Sequence, residues 1–286
     1  MVLNPSLVVT TTLFTVMLAL GLSLRPDSMH HWRSRPALPL RVLLGSCLLV
    51  PLAGLLLLQL PWSWELSRPA RHAIALMAVC PSAPLALRKA GASGGDRQLA
   101  ALLQVSAALV AILTIPLLAL LFRHTFDQDG WLIRPMDVAL QVGRVQVLPL
   151  LLGVLLRRML PRLAERIERP LETIANALLL LLVGVVLLKA GPALTATLPG
   201  DPGALVMMAV LAVLSLALGR WLGGHDRNEG LTTALVTAMR NPGLALLFAS
   251  RFGQHLPGLK LWILAYVLVT LIVSMPLVRR TRLLQA

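Results

Sequence analysis

The chain has 286 residues, of which 57% are hydrophobic and only 13% are charged. An ordinary soluble domain carries about 25% charged residues, so twelve carboxylates are too few to solvate a globule of this size and a soluble enzyme is excluded. The net charge of +14 comes from basic residues that stand between apolar runs rather than in one patch, which argues against a nucleic-acid partner. The composition predicts an all-α polytopic membrane protein whose surroundings are the lipid bilayer.

Nine apolar segments approach the roughly 20 residues that a helix needs to cross a bilayer core. In chain order, segments A to I cover 6–24, 37–60, 70–88, 98–122, 143–160, 171–190, 203–221, 231–251 and 258–278. Loops A–B, C–D, E–F and G–H and the C-terminal tail carry twice as many Lys and Arg residues as the other loops. The positive-inside rule therefore predicts an outside N-terminus and a cytoplasmic C-terminus. The arginine-rich, lysine-poor composition is typical of a GC-rich bacterial genome, so we expect a multi-pass protein of a bacterial inner membrane.

Segments C and H contain helix-breaking residues near the middle of the membrane. Segment C has Pro81 and Pro84, and segment H has Asn241 followed by Pro242 and Gly243. Proline lacks the amide proton that a helix needs, and the residue before it disfavours helix. Because C enters from outside and H from inside, the pair predicts broken helices at corresponding places of two inverted repeats, as in a transporter's central site. Two ordinary packing kinks are the alternative.

Three sequence runs carry a resemblance to a known family. They are Thr15–Leu24 (TVMLALGLSL), Val79–Pro84 (VCPSAP) with Gly95 and Asp96 after it, and Thr237–Ala245 (TAMRNPGLA). In their order and spacing they resemble the bile acid:sodium symporter family, over nearly the whole chain.

The resemblance implies the nine-helix form of that family's fold, as one transmembrane transporter domain. Residues 37–122 and 203–278 would form a core in which segments C and H cross at their breaks. A panel of residues 6–24 and 143–190 would move against this core. The resemblance further implies alternating-access transport of a small organic anion, such as a bile acid. An intramembrane enzyme is not expected, because no segment pairs a serine with a lysine or a histidine.

The resemblance also places the family's two sodium sites, and this chain lacks most of their oxygen ligands. The first site falls on Ala86, Leu87, Ala100 and Gln104. The second falls on Ser46, Val236 and Arg240, where the family has Gln, Glu and Gln. All twelve carboxylates are expected in loops or at helix ends, so no segment supplies an acidic ligand. We therefore predict transport without sodium coupling.

Arg240 is the residue that we expect to supply the charge of the site. A cation at the bilayer centre costs about 2.5–3.5 kcal/mol on insertion scales, and no segment offers it a carboxylate partner. Half-helix N-termini at a crossing favour an anion. The prediction is that Arg240 stands where the sodium charge would be and forms a permanently charged organic-anion site. The alternative is an arginine that only caps the broken end of the first half of segment H.

Other polar side chains within the segments are weaker candidates for substrate binding. They are Asn241, Ser82, Pro84, Gln104, Thr237, Tyr266, Thr270, Ser274 and Asn176. Tyr266, Thr270 and Ser274 are spaced by four residues and share one helix face, although such hydroxyls also bond back to their own helix. His72 is expected at a solvated surface. Cys47 and Cys80 lie in apolar runs and are expected to be small buried hydrophobic residues. No metal or cofactor is predicted, because they offer no ligand spacing.

Three rival functions remain open at this stage. A sodium-coupled symporter could hold its ion through backbone carbonyls at the breaks. A related arsenite exporter would need Cys80 as its pore cysteine. A non-transporting membrane scaffold or sensor could keep the fold and lose the sites. Arg240 distinguishes the last of these, because a scaffold gains nothing from an arginine that is costly to bury.

Overall fold

The computed structural model describes residues 5–24, 33–126 and 135–283, and its regular elements within these ranges are helices, with no strand. In chain order they are α1 (Pro5–Ser23), α2 (Ala37–Gln59), α3 (Arg68–Val79), α4 (Pro84–Ala92), α5 (Arg97–Phe126), α6 (Pro135–Val142, continuing as Gly143–Val147 and Leu148–Met159), α7 (Pro161–Thr197), α8 (Pro202–Leu222), α9 (Arg227–Ala238), α10 (Pro242–Phe252) and α11 (Leu259–Leu283). Short 3-10 turns at Pro61–Glu65 and Leu198–Gly200 join α2 to α3 and α7 to α8.

Five of these helices, α2, α5, α6, α8 and α11, are long and apolar enough to cross a membrane. They correspond to the predicted segments B, D, E, G and I. Helix α6 begins at Pro135 rather than 143, and α7 begins at Pro161 rather than 171. Hydropathy marks only the apolar part of a helix, whereas Glu, Arg and Leu are all good helix formers that extend it into a polar region.

The longer α7 changes one prediction. Glu165, Glu168 and Glu172 lie well inside this helix rather than in a loop or at a helix end. The expectation that every carboxylate lies in a loop or at a helix end is therefore wrong for these three. They recur at i, i+3 and i+7, so they share one face of α7.

Helices α2 and α6 share a local distortion. Each contains one π-helical turn, Gly45–Leu49 in α2 and Gly143–Val147 in α6. A proline follows each turn by two residues, Pro51 and Pro149. Because proline cannot donate to the carbonyl four residues before it, the regular ladder is interrupted and the turn widens. The two widened turns place Ser46 and Gln146 in buried positions.

Helices α1, α6 and α7 pack on one another, and we call them the three-helix layer. The closest approach is between α1 and α6, where a Cβ atom on Gly21 would lie 2.2 Å from the Leu150 carbonyl oxygen. A Cβ atom on Gly153 would lie 2.4 Å from the Leu18 carbonyl oxygen. Small residues that let backbones approach in this way are typical of membrane helix packing. The other eight helices form what we call the crossover bundle, whose apolar centre includes Ile74, Met207 and Ile263.

Candidate functional site

The predicted breaks in segments C and H are confirmed, and they pack against each other. The chain leaves the helical conformation between α3 and α4 and again between α9 and α10. The Ala83 N–H donates to the Met239 carbonyl at 2.7 Å, and the Asn241 N–H donates to the Pro81 carbonyl at 2.8 Å. The two extended stretches thus form a short antiparallel pair. Two unrelated packing kinks, the alternative interpretation, do not describe this arrangement.

The buried ends of these half-helices need partners for their free backbone groups. At the start of α10, the Asn241 side-chain oxygen accepts from the Leu244 N–H at 3.2 Å, which is an N-cap. At the ends of α3 and α9 the free groups are carbonyls, and the guanidinium of Arg240 meets them.

Arg240 is only 2% exposed and makes five hydrogen bonds. Its Nε donates to the Met77 carbonyl at 3.2 Å. Its Nη1 donates to the Ser46 hydroxyl at 2.9 Å and to the Thr237 carbonyl at 3.2 Å. Its Nη2 donates to the Ser46 carbonyl at 2.9 Å and to the Ala78 carbonyl at 2.6 Å. A guanidinium has five N–H donors, so these bonds use the whole set.

The consequence is that Arg240 has no N–H left for an anion in this structure. The predicted direct contact between its guanidinium and a substrate is therefore not what the geometry offers. The contacts agree with the alternative, in which the arginine caps the broken end of the first half of segment H. Arg240 caps this end and also the broken end of segment C. Met77 and Ala78 belong to the last turn of α3, and Thr237 to that of α9. A cation there also faces the negative ends of both helix dipoles.

The positions carried over from the family's sodium sites fall in two groups. Ser46 and Arg240 from the second site are joined by direct hydrogen bonds. The others supply little to a hard cation, because Ala86, Ala100 and Val236 are buried apolar side chains and Leu87 is half-buried. Gln104 is buried, and its amide has no hydrogen-bond partner among the described residues.

Most of the predicted binding residues are buried in the crossover bundle with polar atoms that have no partner in the described part of the chain. They are Ser82, Gln104, Thr237, Asn241 (through Nδ2), Tyr266 and Thr270. Thr270 therefore does not bond back to its own helix. Ser274 does, through the Leu271 carbonyl at 2.9 Å, and it also accepts a hydrogen bond from the Lys89 ammonium. Unpartnered buried polar groups each cost about 1–3 kcal/mol, which makes this cluster expensive unless it serves a ligand or water.

Two adjoining cavities of about 540 and 250 Å³ lie between the three-helix layer and the crossover bundle. Ser23, Leu87, Arg97 and Glu172 line both of them. The smaller cavity reaches the first residue of α4, and the predicted residues Pro84 and Asn176 line it together with Arg88. The remaining predicted residues are buried and do not line these cavities.

The ion-paired residues of the cavity were not recognised from the sequence. Glu172 on α7 pairs with Arg97 on α5, so this ion pair joins the layer to the bundle. Glu168 also lines the larger cavity and pairs with Arg157 of α6 at 3.0 Å, within the layer. One feature of the sequence could have revealed them, namely the spacing that puts Glu165, Glu168 and Glu172 on one helix face. This spacing has that meaning only if α7 begins at Pro161.

His72 corrects another prediction. It is buried rather than solvated, and its ring Nδ1 lies 2.7 Å from the Arg68 carbonyl oxygen. A carbonyl oxygen only accepts, so Nδ1 carries the proton in this contact. The two residues are four apart in α3, so this bond lies within one helix. The position of His72 near the end of segment C predicted exposure to solvent and gave no sign of this bond.

Two interrupted helices that cross inside a bundle of apolar helices, beside a cavity between two helix groups, define the class of membrane transporters built from discontinuous helices. The family model described as the Sodium Bile acid symporter family matches residues 10–197, and the chain belongs to this family. The resemblance found in the sequence motifs is thereby confirmed. The chain is a multi-pass membrane protein of a transporter family, not an enzyme.

A curated relative is named "Probable sodium/metabolite cotransporter BASS2, chloroplastic", from Oryza sativa subsp. japonica. It is 27% identical over 264 aligned residues, which cover 87% of this chain and 59% of the relative. The chain thus spans less than two thirds of the length of the relative that it matches.

Proposed function

We propose that this chain is a secondary transporter that moves an organic anion by alternating access without sodium coupling. The observation that carries this proposal is the set of five hydrogen bonds around Arg240 at the helix crossing. A permanent cation, tied to three helices, stands at a position carried over from a sodium site of the family. It holds together the elements that a bound ion would otherwise join.

The architecture of the proposal is nine membrane crossings in two inverted repeats. Helices α2 to α5 repeat the order of α8 to α11, because each set is one helix, one broken helix and one helix. The first halves of the broken helices, α3 and α9, have 12 residues each. In this proposal the three-helix layer is the moving panel, the crossover bundle is the core, and the protein lies in a bacterial inner membrane with its C-terminus in the cytoplasm.

The anionic substrate is supported by the walls of the cavity. The smaller cavity reaches the N-terminus of α4, where the positive end of the helix dipole favours a negative charge. Arg88 lines the same space and has no ion-pair partner among the described residues. Around it are apolar side chains such as Val16, Leu20 and Ala175. A carboxylate or sulfonate on an apolar body suits such walls.

Sodium coupling is the second candidate, because the family and the rice relative are both named for sodium. The geometry gives it little support. Backbone carbonyls at the ends of α3 and α9 could coordinate a cation, but Arg240 already occupies those of Met77, Ala78 and Thr237. The scaffold or sensor alternative does not explain a cavity that reaches the N-terminus of a broken helix.

The test measures thermal unfolding of detergent-purified protein with cholate, taurocholate and small keto acids, in sodium chloride and in choline chloride. A ligand of the folded state raises its melting temperature. We expect an anion to stabilise the protein equally in both salts. Stabilisation that appears only with sodium would contradict the proposal, and no response to any anion would favour the scaffold alternative.

A gain-of-coupling variant sharpens this test. Ser46→Gln, Val236→Glu and Arg240→Gln together would restore the residues that the family has at these positions. We expect the triple variant to bind the anion only in sodium chloride, because a carboxylate and amide oxygens replace the fixed cation. Arg251→Gln, which changes another arginine of the second broken helix outside the crossing, is the matched control and should stay independent of sodium.

A further inference from the structure

Gln146 is a buried amide that belongs to none of the sequence motifs. It lies in the π-helical turn of α6 with no exposed surface, and neither its Oε1 nor its Nε2 has a hydrogen-bond partner among the described residues. An unsatisfied polar group in a membrane interior costs several kcal/mol. A leucine or methionine would fill the same place without that cost, so the amide calls for a functional explanation.

The position of Gln146 is where the three-helix layer meets the crossover bundle. Its neighbour Val145 packs with Leu13 of α1 and Leu247 of α10 in one apolar cluster. The same Leu13 side chain lies against Gly243, where a Cβ atom would be 2.7 Å away, directly after the helix crossing. The π-turn therefore lies at the depth of the crossing, beside the elements that the proposed motion separates.

The cavities of this structure lie to one side of this turn. On α1 the smaller cavity is lined from Ser23 back to Val16, three residues after Leu13. Because a helix rises about 1.5 Å per residue, the apolar cluster at Leu13 lies roughly 5 Å along α1 beyond the end of the cavity. In this conformation the cluster of Leu13, Val145 and Leu247 closes the boundary beside the π-turn, and Gln146 is buried. The opposite conformation, in which the layer moves away from the bundle at this depth, would uncover it.

We propose that Gln146 is a substrate-binding residue of the three-helix layer, which hydrogen-bonds a hydroxyl or similar second polar group of the organic anion. This inference rests on the proposed function. A primary amide both donates and accepts, so it matches a hydroxyl group, which does the same. The anionic head would lie at the crossover bundle and the hydroxyl at the layer, and the transporter would thereby select hydroxylated anions over their deoxy analogues. Sites built to bond a substrate hydroxyl discriminate strongly against analogues that lack it.

The experiment uses two probe pairs that differ by hydroxyl groups, cholate with 5β-cholanate and lactate with propionate. Binding to the purified full chain is measured by the shift in melting temperature over a concentration series. We expect wild type to prefer the hydroxylated member of at least one pair by about tenfold or more. Gln146→Met should remove that preference and leave the melting temperature of the ligand-free protein unchanged or higher, because an unsatisfied amide has gone.

Gln141→Leu is the matched control. Gln141 belongs to the same helix, but its side-chain oxygen accepts from Arg251 at 2.6 Å, so it has a structural partner. Its replacement should keep the hydroxyl preference. If Gln146→Met binds and discriminates like wild type, or if it lowers the melting temperature while the preference stays, the amide is structural and the inference fails while the proposed function stands. If wild type responds to none of the four anions, the proposed function fails and the inference fails with it.

Discussion

The helix crossing and the cavity beside it handle charge in opposite ways. At the crossing, one buried cation is bonded to four residues, through their carbonyls and one hydroxyl, so none of its hydrogen-bond partners is a carboxylate and no donor is unused. In the cavity, the cation Arg97 faces the carboxylate Glu172 on the opposite wall, and both are partly solvated. The first arrangement fixes helices to one another, whereas the second can separate into water at little cost. The contrast supports the proposal of a rigid bundle and a layer that can move away from it.

The largest effect should come from Arg240→Ala. Removing the guanidinium saves a burial cost of about 2.5–3.5 kcal/mol, but it strands several buried acceptors at about 1–3 kcal/mol each. We expect a net loss of stability of about 3–5 kcal/mol, measured by denaturant unfolding in detergent. Arg240→Lys should recover only part of the loss, because an ammonium has three donors and no planar fork. Equal stability of Arg240→Ala and wild type would mean that the crossing does not depend on this cation.

An intermediate effect is expected where the three-helix layer is closest packed. Gly153→Ala would place a Cβ atom 2.4 Å from the Leu18 carbonyl oxygen, a backbone atom that cannot turn away. Overpacking of this kind costs about 1–3 kcal/mol, measured again by unfolding in detergent. Gly184→Ala on α7 is the matched control, because nothing lies within 4 Å of its Cβ position, and it should be neutral or stabilising. A similar loss for both variants would refute the close approach of α1 and α6.

The breaks could be predicted from the sequence because proline chemistry is local. Two prolines three residues apart, Pro81 and Pro84, break one helix, and Pro242 after Asn241 breaks the other, whereas a single proline such as Pro116 stays inside a continuous helix. The hydrogen bonds of Arg240 could not be predicted from the sequence, because its partners Ser46 and Ala78 lie far from it along the chain. The charge of Arg240 and its depth in the membrane predicted an anion as its partner, but the carbonyls at two broken helix ends accept its hydrogen bonds instead.

The cavity was less predictable for a different reason. Hydropathy identifies only the apolar part of a helix. The polar first third of α7 was therefore predicted to be a loop. Gln146 was missed because segment E was predicted to begin at 143, which placed this amide near a helix end. The observed helix begins at Pro135, so Gln146 lies inside it, buried without a partner among the described residues.

The smallest effect on stability and the clearest effect on rate should come from the pair Arg97 and Glu172. Both side chains are partly exposed, so the pair stabilises the fold by only about 0.2–1 kcal/mol. Its two residues belong to different helix groups, however, so it favours the conformation in which layer and bundle meet at this end. Arg97→Glu or Glu172→Arg alone would set like charges against each other across the cavity and slow cholate exchange in proteoliposomes. The double exchange should restore the rate.

Arg157 and Glu168 provide the control for this prediction. They form an ion pair at 3.0 Å that is less exposed than the pair of Arg97 and Glu172, but both residues belong to the three-helix layer, to α6 and α7. If layer and bundle separate during transport, this second pair never has to open, and its charge exchange should leave the rate near that of wild type. Should both exchanges slow transport to the same degree, the boundary of motion does not run between these helix groups. Slowing by the single Arg97 and Glu172 variants alone, with rescue by the double, would place the moving boundary at the cavity.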